Sequence, residues 1–447
     1  MLLEGLSSQQ YHQAQLSCLK ESDGQVYEFL TREFERRRNT LQLGAAENQC
    51  SQAVLAALGS VLQNKTAEGF VGARMHGGCE VIDDLEGAAV SRAKETFGAQ
   101  YANVQPHSGT QANQIVLTAV LEKGDRVLGM AIGHGGHYSH GAGNSFTGKF
   151  FEVGNYGVDE KTFCLDYDAI RDKALKFKPK LVICGASAYP RAIDFKKFRE
   201  IADGVGAYLL ADVSHISGLI IAGAHSSPVD FAHFTTTSTY KPGGPRGGLI
   251  LMGKNCGRMI KVGTKEIPLA KHIDKTTFPG VQGTPYFNNI AAKAVFFKET
   301  LSGEYRDRQF KIVENAKRLA GSLVDLGYDV VTGGTDNHIV LVNVVNLREG
   351  LTWPTAQKCL EECGIVVDMI HLPYERRPSV ADGIRLGTPI VTKNGMGTDE
   401  MEGISALIEA VLKGVEVAGD GGYRIAEPLR EQTQAKVKDL CSRFPIR

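Results

Sequence analysis

Short apolar runs of strand length recur through the chain and are separated by stretches long enough to form helices. They occupy residues 126–132, 180–184, 208–213 and 248–252. Strands that alternate with helix-length segments are typical of βαβ units in a mostly parallel, doubly wound sheet. In such sheets ligands bind outside the carboxyl ends of the strands. We therefore expect the functional residues to lie just after these runs.

The pattern changes on either side of this alternating region. Residues 24–39 read as an amphipathic, charge-laced helix, and residues 291–315 as two long helical patterns. Beyond them, strand-like segments at 330–345 and 364–367 precede a helix near 398–412. These changes predict an N-terminal arm and helix (1–50), a large α/β domain (51–299) and a smaller C-terminal α+β domain (300–447).

Composition narrows the class of partner. The chain has 447 residues, with 50 Lys plus Arg against 50 Asp plus Glu, so it offers no basic field for nucleic acid or for a membrane surface. The first residues lack a signal-peptide pattern, and no apolar run approaches the ~20 residues that span a bilayer. Nine cysteines form no CxxC pair, which favours free thiols in a reduced compartment. We expect a cytoplasmic enzyme that binds small molecules or its own copies.

A lysine stands where a strand-like run meets an irregular turn. Residues 235–249 read TTTSTYKPGGPRGGL, so Lys241 follows a threonine-rich strand and precedes glycines and prolines. A lysine in that position suits an imine with an aldehyde cofactor. The alternative is a solvated lysine that opens a turn.

An aspartate ends the apolar run at 208–213. Within ADVSHISG (211–218), Asp212 would be costly to bury unpaired, and a protonated pyridinium nitrogen is the obvious partner. His215, three residues on, is close enough to contact the 3-oxygen of such a ring. The alternative is an aspartate that caps the next helix.

Two further motifs complete the set. In PHSGTQAN (106–113), Ser108, Gly109 and Thr110 open a helix, where hydroxyls and backbone N–H groups can bind phosphate. The alternative is a simple helix cap. The histidine-rich HGGHYSH (134–140) lacks Cys or Glu at zinc-ligand spacing, so we predict no metal and an imidazole stacked on a cofactor ring. Together these motifs predict one bound pyridoxal 5′-phosphate, and neither a dinucleotide fingerprint nor a P-loop competes.

The motifs resemble those of the serine hydroxymethyltransferase family from about residue 46 to residue 412. The blocks that carry the resemblance are AEN (46–48), AEG (67–69), GGCEVID (77–83), NVQPHSGTQAN (103–113), HGGH (134–137), GASAYPR (185–191), IDFKKFREIADGVGAYLLADVSHISGL (193–219), KPGGPRGG (241–248), FPGVQGTP (278–285) and GIRLGTP (383–389). The resemblance implies a fold-type I pyridoxal-phosphate transferase with a seven-stranded sheet in the large domain. It also implies a homodimer, or a tetramer, whose sites are shared between subunits.

The resemblance assigns a role to each matching residue. It makes Lys241 the imine lysine, Asp212 the partner of the ring nitrogen and His137 the stacking residue. The remaining roles that it implies are phosphate binding by Ser108, Gly109 and Thr110 with Gly280 and Val281 of the other subunit, contact with the cofactor oxygen by Ser187 and His215, a grip on the substrate carboxylate by Arg385, and proton handling at the substrate hydroxyl by Glu68.

Departures from the family pattern cluster around the substrate and folate. Met75 and His76 stand where tyrosines are expected, so His76 becomes a candidate substrate residue. Ala46 replaces a serine, and Tyr240, a second candidate substrate residue, replaces a histidine. VDMIHLP (367–373) stands where the family has a segment with a folate-contacting asparagine. The use of tetrahydrofolate therefore stays open.

Several functions are consistent with this pattern. The leading one is a serine hydroxymethyltransferase-like enzyme that acts at Cα of a serine- or glycine-type amino acid, with Cα–Cβ cleavage or formation through a glycine quinonoid. The second is a folate-independent β-hydroxy-amino-acid aldolase or transaldolase on the same scaffold. Decarboxylation or deamination in specialised metabolism is a third, and a non-catalytic scaffold relative is the last.

Overall fold

The computed structural model describes residues 8–344, 347, 351–373, 383–417 and 422–446. Its helices are α1 Ser8–Ser22, α2 Gly24–Arg38, α3 Gln52–Leu58, α4 Glu80–Phe97, α5 Gly109–Val120, α6 Phe146–Phe150, α7 Tyr167–Phe177, α8 Phe195–Gly204, α9 Ser217–Ala222, α10 Leu269–Lys275, α11 Phe287–Thr300, α12 Gly303–Asp325, α13 Trp353–Glu362, α14 Pro389–Lys393, α15 Thr398–Gly414 and α16 Glu427–Arg443. No helix in these ranges is long and apolar enough to cross a bilayer.

The strands alternate with these helices. They are β1 Leu41–Gln42, β2 Gly69–Phe70, β3 Ala73–Arg74, β4 Tyr101–Asn103, β5 Arg126–Met130, β6 Glu152–Tyr156, β7 Leu181–Cys184, β8 Tyr208–Asp212, β9 Phe234–Ser238, β10 Gly248–Met252, β11 Met259–Val262, β12 Lys265–Pro268, β13 Asp329–Val330, β14 Ile339–Asn343, β15 Ile365–Val366, β16 Asp368–Ile370, β17 Gly383–Gly387, β18 Val415–Val417 and β19 Tyr423–Ile425. The four predicted strands are confirmed to within two residues at each end.

A seven-stranded sheet forms the centre of the large domain, in the order β4-β10-β9-β8-β7-β5-β6. The pairs from β9 through β6 are parallel, whereas β10 runs antiparallel to both β9 and β4. The predicted doubly wound, mostly parallel sheet is therefore confirmed. Because β5, β7, β8 and β9 are parallel, their carboxyl ends meet at one edge of the sheet.

Both faces of this sheet are covered by helices. Along β8, Leu209 and Ala211 pack into one apolar cluster, whereas Leu210 packs into the cluster on the opposite face. Alternate side chains of a strand point to opposite faces, so a strand buried on both sides reads as a continuous apolar run. That is why the central strands are visible in the sequence.

A second, four-stranded antiparallel sheet, β13-β14-β17-β16, belongs to the C-terminal α+β region. Its apolar cluster also includes Leu41 and Leu43, because β1 pairs with β15. Helix α12 links the two regions, since Tyr305 near its start packs in the large cluster and Leu319 in the small one. The domain boundaries at residues 50 and 300 stay a prediction, and residue 345 of the predicted strand lies outside the described residues.

Candidate active site

A cavity of about 200 Å³ lies at the carboxyl ends of β5, β7, β8 and β9. The turn after β5 contributes His137, and the one after β7 contributes Ser187. The predicted residues that line this cavity are Ser108, Gly109, Thr110, His137, Ser187, Asp212, His215, Tyr240 and Lys241. Residues that are far apart in the sequence therefore surround one small space.

Lys241 enters the cavity from the turn after β9. Its Nζ donates a hydrogen bond to Ser238 Oγ at 3.2 Å and lies 4.7 Å from the centre of the Tyr240 ring. The Arg246 guanidinium lies 4.4 Å from the same ring. The side-chain amide of Asn48 donates a hydrogen bond to the Lys241 carbonyl oxygen at 2.8 Å, which stabilises this turn. The amine is thus kept at the strand end, beside an aromatic face.

Asp212, the last residue of β8, is buried and has several protein partners. Its Oδ2 accepts hydrogen bonds from Asn113 at 2.8 Å and from His140 at 3.0 Å, and its Oδ1 accepts from the Ser214 hydroxyl at 2.6 Å. Protein groups therefore already satisfy part of this carboxylate, and its role as the partner of a pyridinium nitrogen stays a prediction. The helix-cap alternative is wrong, because Ile216 occupies the N-cap position of α9.

These partners keep Asp212 ionised. Burial alone would raise the pKa of the carboxyl, but the hydrogen bonds from His140 and from Ser214 hold that pKa well below its usual range. A buried carboxylate that stays charged at neutral pH can hold a proton on a facing ring nitrogen. The site therefore supplies the electrostatics that a pyridinium ring needs.

Asn113 and His140 are functional residues that the sequence analysis did not single out. Asn113 is fully buried on α5, where its amide donates to Asp212 and to Ser139, and its carbonyl oxygen accepts from Thr236 at 2.5 Å. His140 is buried after β5. Both lie inside motifs named above, but their contact with Asp212, which is distant in the sequence, is what marks them as part of the site.

His137 is a neutral imidazole. Burial is the main reason that its pKa is lowered to about 4. The Ser139 backbone N–H donates to His137 Nδ1 at 3.1 Å, so the ring proton lies on Nε2. A neutral ring with a fixed tautomer can stack on another ring without bringing a charge to it.

His215 has a buried ring nitrogen that lacks a partner within the described residues. This atom, Nδ1, makes no hydrogen bond, and burial lowers the pKa of the ring well below its usual value. The ring stacks on His338 at 5.9 Å between centres, with 9° between the planes. Because His215 lines the cavity, this unpartnered nitrogen is a candidate partner for a bound group.

Ser108 is the N-cap of α5. Its Oγ accepts a hydrogen bond from the Gln111 N–H at 3.1 Å, so the helix-cap interpretation is confirmed for this side chain. Capping does not exclude anion binding, because the hydroxyl still carries its own donor and the first-turn amides have no acceptor within the helix. Gly109 is also closely packed, since a Cβ there would lie 3.1 Å from the Ser238 nitrogen.

His137, His140 and Asp212 also form a group that could hold a metal ion, since their ligand atoms lie within 4.8 Å of one another. The zinc-spacing argument missed this group because Asp212 is distant in sequence. In this arrangement His140 and Asp212 are hydrogen-bonded to each other, so a metal ion would have to displace that hydrogen bond. The expectation of no metal stays a prediction.

Arg385 lies behind the cavity wall on β17. Its Nη1 donates to the carbonyl of Ser187 at 2.6 Å, and Asp368 on β16 accepts from its Nε and Nη2. Four other predicted residues are not among the lining residues that the described ranges supply: Glu68, His76, Gly280 and Val281. Their assignment to a shared site between subunits stays a prediction.

Comparison with known proteins agrees with this geometry. The family model of serine hydroxymethyltransferase matches residues 19–408. The chain is also 45% identical over 433 residues to a serine hydroxymethyltransferase of Methanosarcina barkeri (strain Fusaro / DSM 804), an alignment that covers 96% of this chain and 100% of that protein. The chain therefore belongs to the serine hydroxymethyltransferase family of fold-type I, pyridoxal-phosphate-dependent transferases.

Proposed function

We propose that this enzyme binds pyridoxal 5′-phosphate in the cavity and moves a hydroxymethyl group between serine and glycine. One observation carries the proposal: Lys241, Asp212, His137 and the first turn of α5 converge on one cavity. Each of these groups matches a different part of the cofactor. The family match favours this function over the aldolase, deaminating and scaffold alternatives.

The residues at the phosphate end fit the cofactor. Ser108 and Thr110 supply hydroxyls, and the amides at the start of α5 supply N–H donors and the positive end of the helix dipole. Gly109 leaves room for the phosphate to approach the backbone. This end fixes the position of the cofactor.

The residues at the ring end fit equally well. Asp212 would hold the ring nitrogen in its protonated form, and the neutral imidazole of His137 would cover one face of the ring. His215, whose Nδ1 is buried without a partner among the described residues, would contact the ring oxygen. Bound pyridoxal phosphate supplies an aldehyde that binds amines and a ring that draws electrons from the Cα of an amino acid.

The protein's own residues then perform four tasks. Lys241 would hold the cofactor through its side-chain amine. Arg385 orients the substrate carboxylate through its N–H donors. Glu68 takes the proton of the substrate hydroxyl as Cα and Cβ separate, and Tyr240 shapes the wall beside Lys241.

Glu68 performs this role in the neighbouring subunit of a homodimer. Glu68 is half-buried and His76 is exposed in their own chain, and the Glu68 N–H donates to His76 Nδ1 at 3.4 Å. Helix α2 presents Phe29, Leu30 and Phe34 to solvent, each about half exposed, on one face. A second copy would cover them and bring in Gly280 and Val281. A monomer in sedimentation equilibrium at assay concentration would contradict this arrangement.

Two further parts of the proposal concern the cellular location of the enzyme and the acceptor of the one-carbon unit. The enzyme acts in the cytoplasm, which agrees with nine cysteines that are all free thiols. Tetrahydrofolate accepts the one-carbon unit, as the family membership favours. Glycine formation from L-serine that is unchanged by tetrahydrofolate would favour the aldolase alternative instead.

Borohydride trapping tests the central proposal. The purified holoenzyme is reduced, digested and mapped by mass spectrometry, in parallel with Lys241→Met and with Lys254→Met, which changes an exposed lysine outside the cavity. We expect the pyridoxyl label on Lys241 in the wild type and in Lys254→Met. Lys241→Met should lose the label and the serine-to-glycine activity. A label on another lysine in the wild type would refute the proposal.

A further inference from the structure

Arg385 and Asp368 are directly opposed on neighbouring strands. They are register partners in the antiparallel pair β16–β17, so their side chains leave the sheet on the same face. Asp368 Oδ2 accepts from Arg385 Nη2 at 2.8 Å and from Nε at 3.2 Å. The same oxygen accepts the Ala45 N–H at 3.1 Å. This one carboxylate oxygen therefore accepts three hydrogen bonds.

This pairing divides the guanidinium into two edges. Asp368 occupies the edge formed by Nε and Nη2, and the Ser187 carbonyl takes one donor of Nη1. A guanidinium carries five N–H donors in a planar fork. One N–H of Nη1 and one N–H of Nη2 therefore remain as donors for an incoming carboxylate.

The pairing also offsets the charge of Arg385. The Arg385 side chain is 11% exposed and that of Asp368 is 30% exposed, so water screens the pair only in part. An incoming carboxylate would meet an arginine that already has an anionic partner. The two anions would share one guanidinium and repel each other across it.

We propose that Asp368 is a specificity-determining residue that weakens the preference of the site for a charged α-carboxylate. The inference rests on the proposed role of Arg385 in binding the substrate. Asp368 orients the Arg385 guanidinium by binding one of its edges. Its negative charge also weakens the attraction between the remaining N–H donors and a substrate carboxylate. The site therefore prefers an amino acid over its neutral amide, but by a smaller difference in affinity than an arginine without an acidic partner would give.

The test compares glycine with glycinamide, which has the same shape but no carboxylate charge. Dissociation constants for both ligands are measured by isothermal titration calorimetry on wild-type holoenzyme and on Asp368→Asn. Asparagine keeps an acceptor oxygen for Arg385 and Ala45 but removes the charge. We expect glycine to bind about tenfold more tightly to Asp368→Asn, with glycinamide changed by less than about twofold.

Two controls separate the possible results. Glu402→Gln removes a carboxylate from another arginine pair, Arg318–Glu402, and should leave both ligands unchanged. Equal changes for glycine and glycinamide in Asp368→Asn, or no change in either, would overturn the inference. Arg385→Leu should abolish the preference for glycine. If that variant keeps the preference, the proposed role of Arg385 fails, and the inference fails with it.

Discussion

Gly185 follows strand β7 and packs directly against the backbone of Asp212 at the end of β8. Its φ is +128°, a region that side-chain-bearing residues rarely adopt. A Cβ at this position would lie 2.0 Å from the carbonyl oxygen of Asp212. The neighbouring atom is backbone in a central strand, so it cannot rotate away as a flexible side chain would. Gly185→Ala should therefore disturb both the fold and the site.

The magnitude follows from two contributions. The unfavourable backbone conformation costs about 1–3 kcal/mol, and forcing the two chain segments apart costs about 1–3 kcal/mol more. Gly185→Ala should thus lower the free energy of unfolding by about 2–6 kcal/mol. A displacement of roughly 1 Å at Asp212 should also reduce turnover by about 100-fold.

The assay is urea denaturation of the apoprotein followed by far-UV circular dichroism. Cofactor is removed first, because a ligand that binds only the folded state would raise the apparent stability. The matched control is Gly124→Ala, where φ is +88° but no atom lies within 4 Å of the added Cβ. That variant should lose only about 1 kcal/mol, from the backbone conformation. If the two variants differ by less than about 0.5 kcal/mol, the steric argument is refuted.

Two further predictions concern buried charge. Burial lowers the pKa of His338 to about 4 from 6.5, so between those values the unfolded chain binds more protons and stability falls as pH falls. His338→Gln should reduce the drop in urea midpoint between about pH 7 and about pH 5, and an unchanged drop would contradict this. Arg74 forms a buried ion pair with Glu86, so Arg74→Met should leave an uncompensated carboxylate and cost about 3–5 kcal/mol. The control Lys413→Met, at the exposed pair with Glu409, should cost less than about 0.5 kcal/mol in the same denaturation, and equal losses would contradict the argument.

The sequence alone was enough to predict the central sheet and much of the cavity. The apolar runs are visible because the sheet is buried on both faces, and their carboxyl ends meet because the strands are parallel. Asp212 ends one such strand, Ser108 precedes a helix and Lys241 follows another strand. Each of these positions is a local property of the chain. Motifs and periodicity together were therefore enough to predict that these residues lie at one edge of the sheet.

Only the tertiary structure decided which partners those residues have. Asn113 and His140 lie 99 and 72 residues from Asp212, yet both donate to its carboxylate. The pairing of Asp368 with Arg385 likewise depends on the register of two strands in a separate sheet. A hydrogen bond requires donor and acceptor within about 3 Å, and that distance is set by how helices and strands pack against one another. Periodicity along the chain specifies which face a residue occupies, but it does not specify which distant residue it meets there.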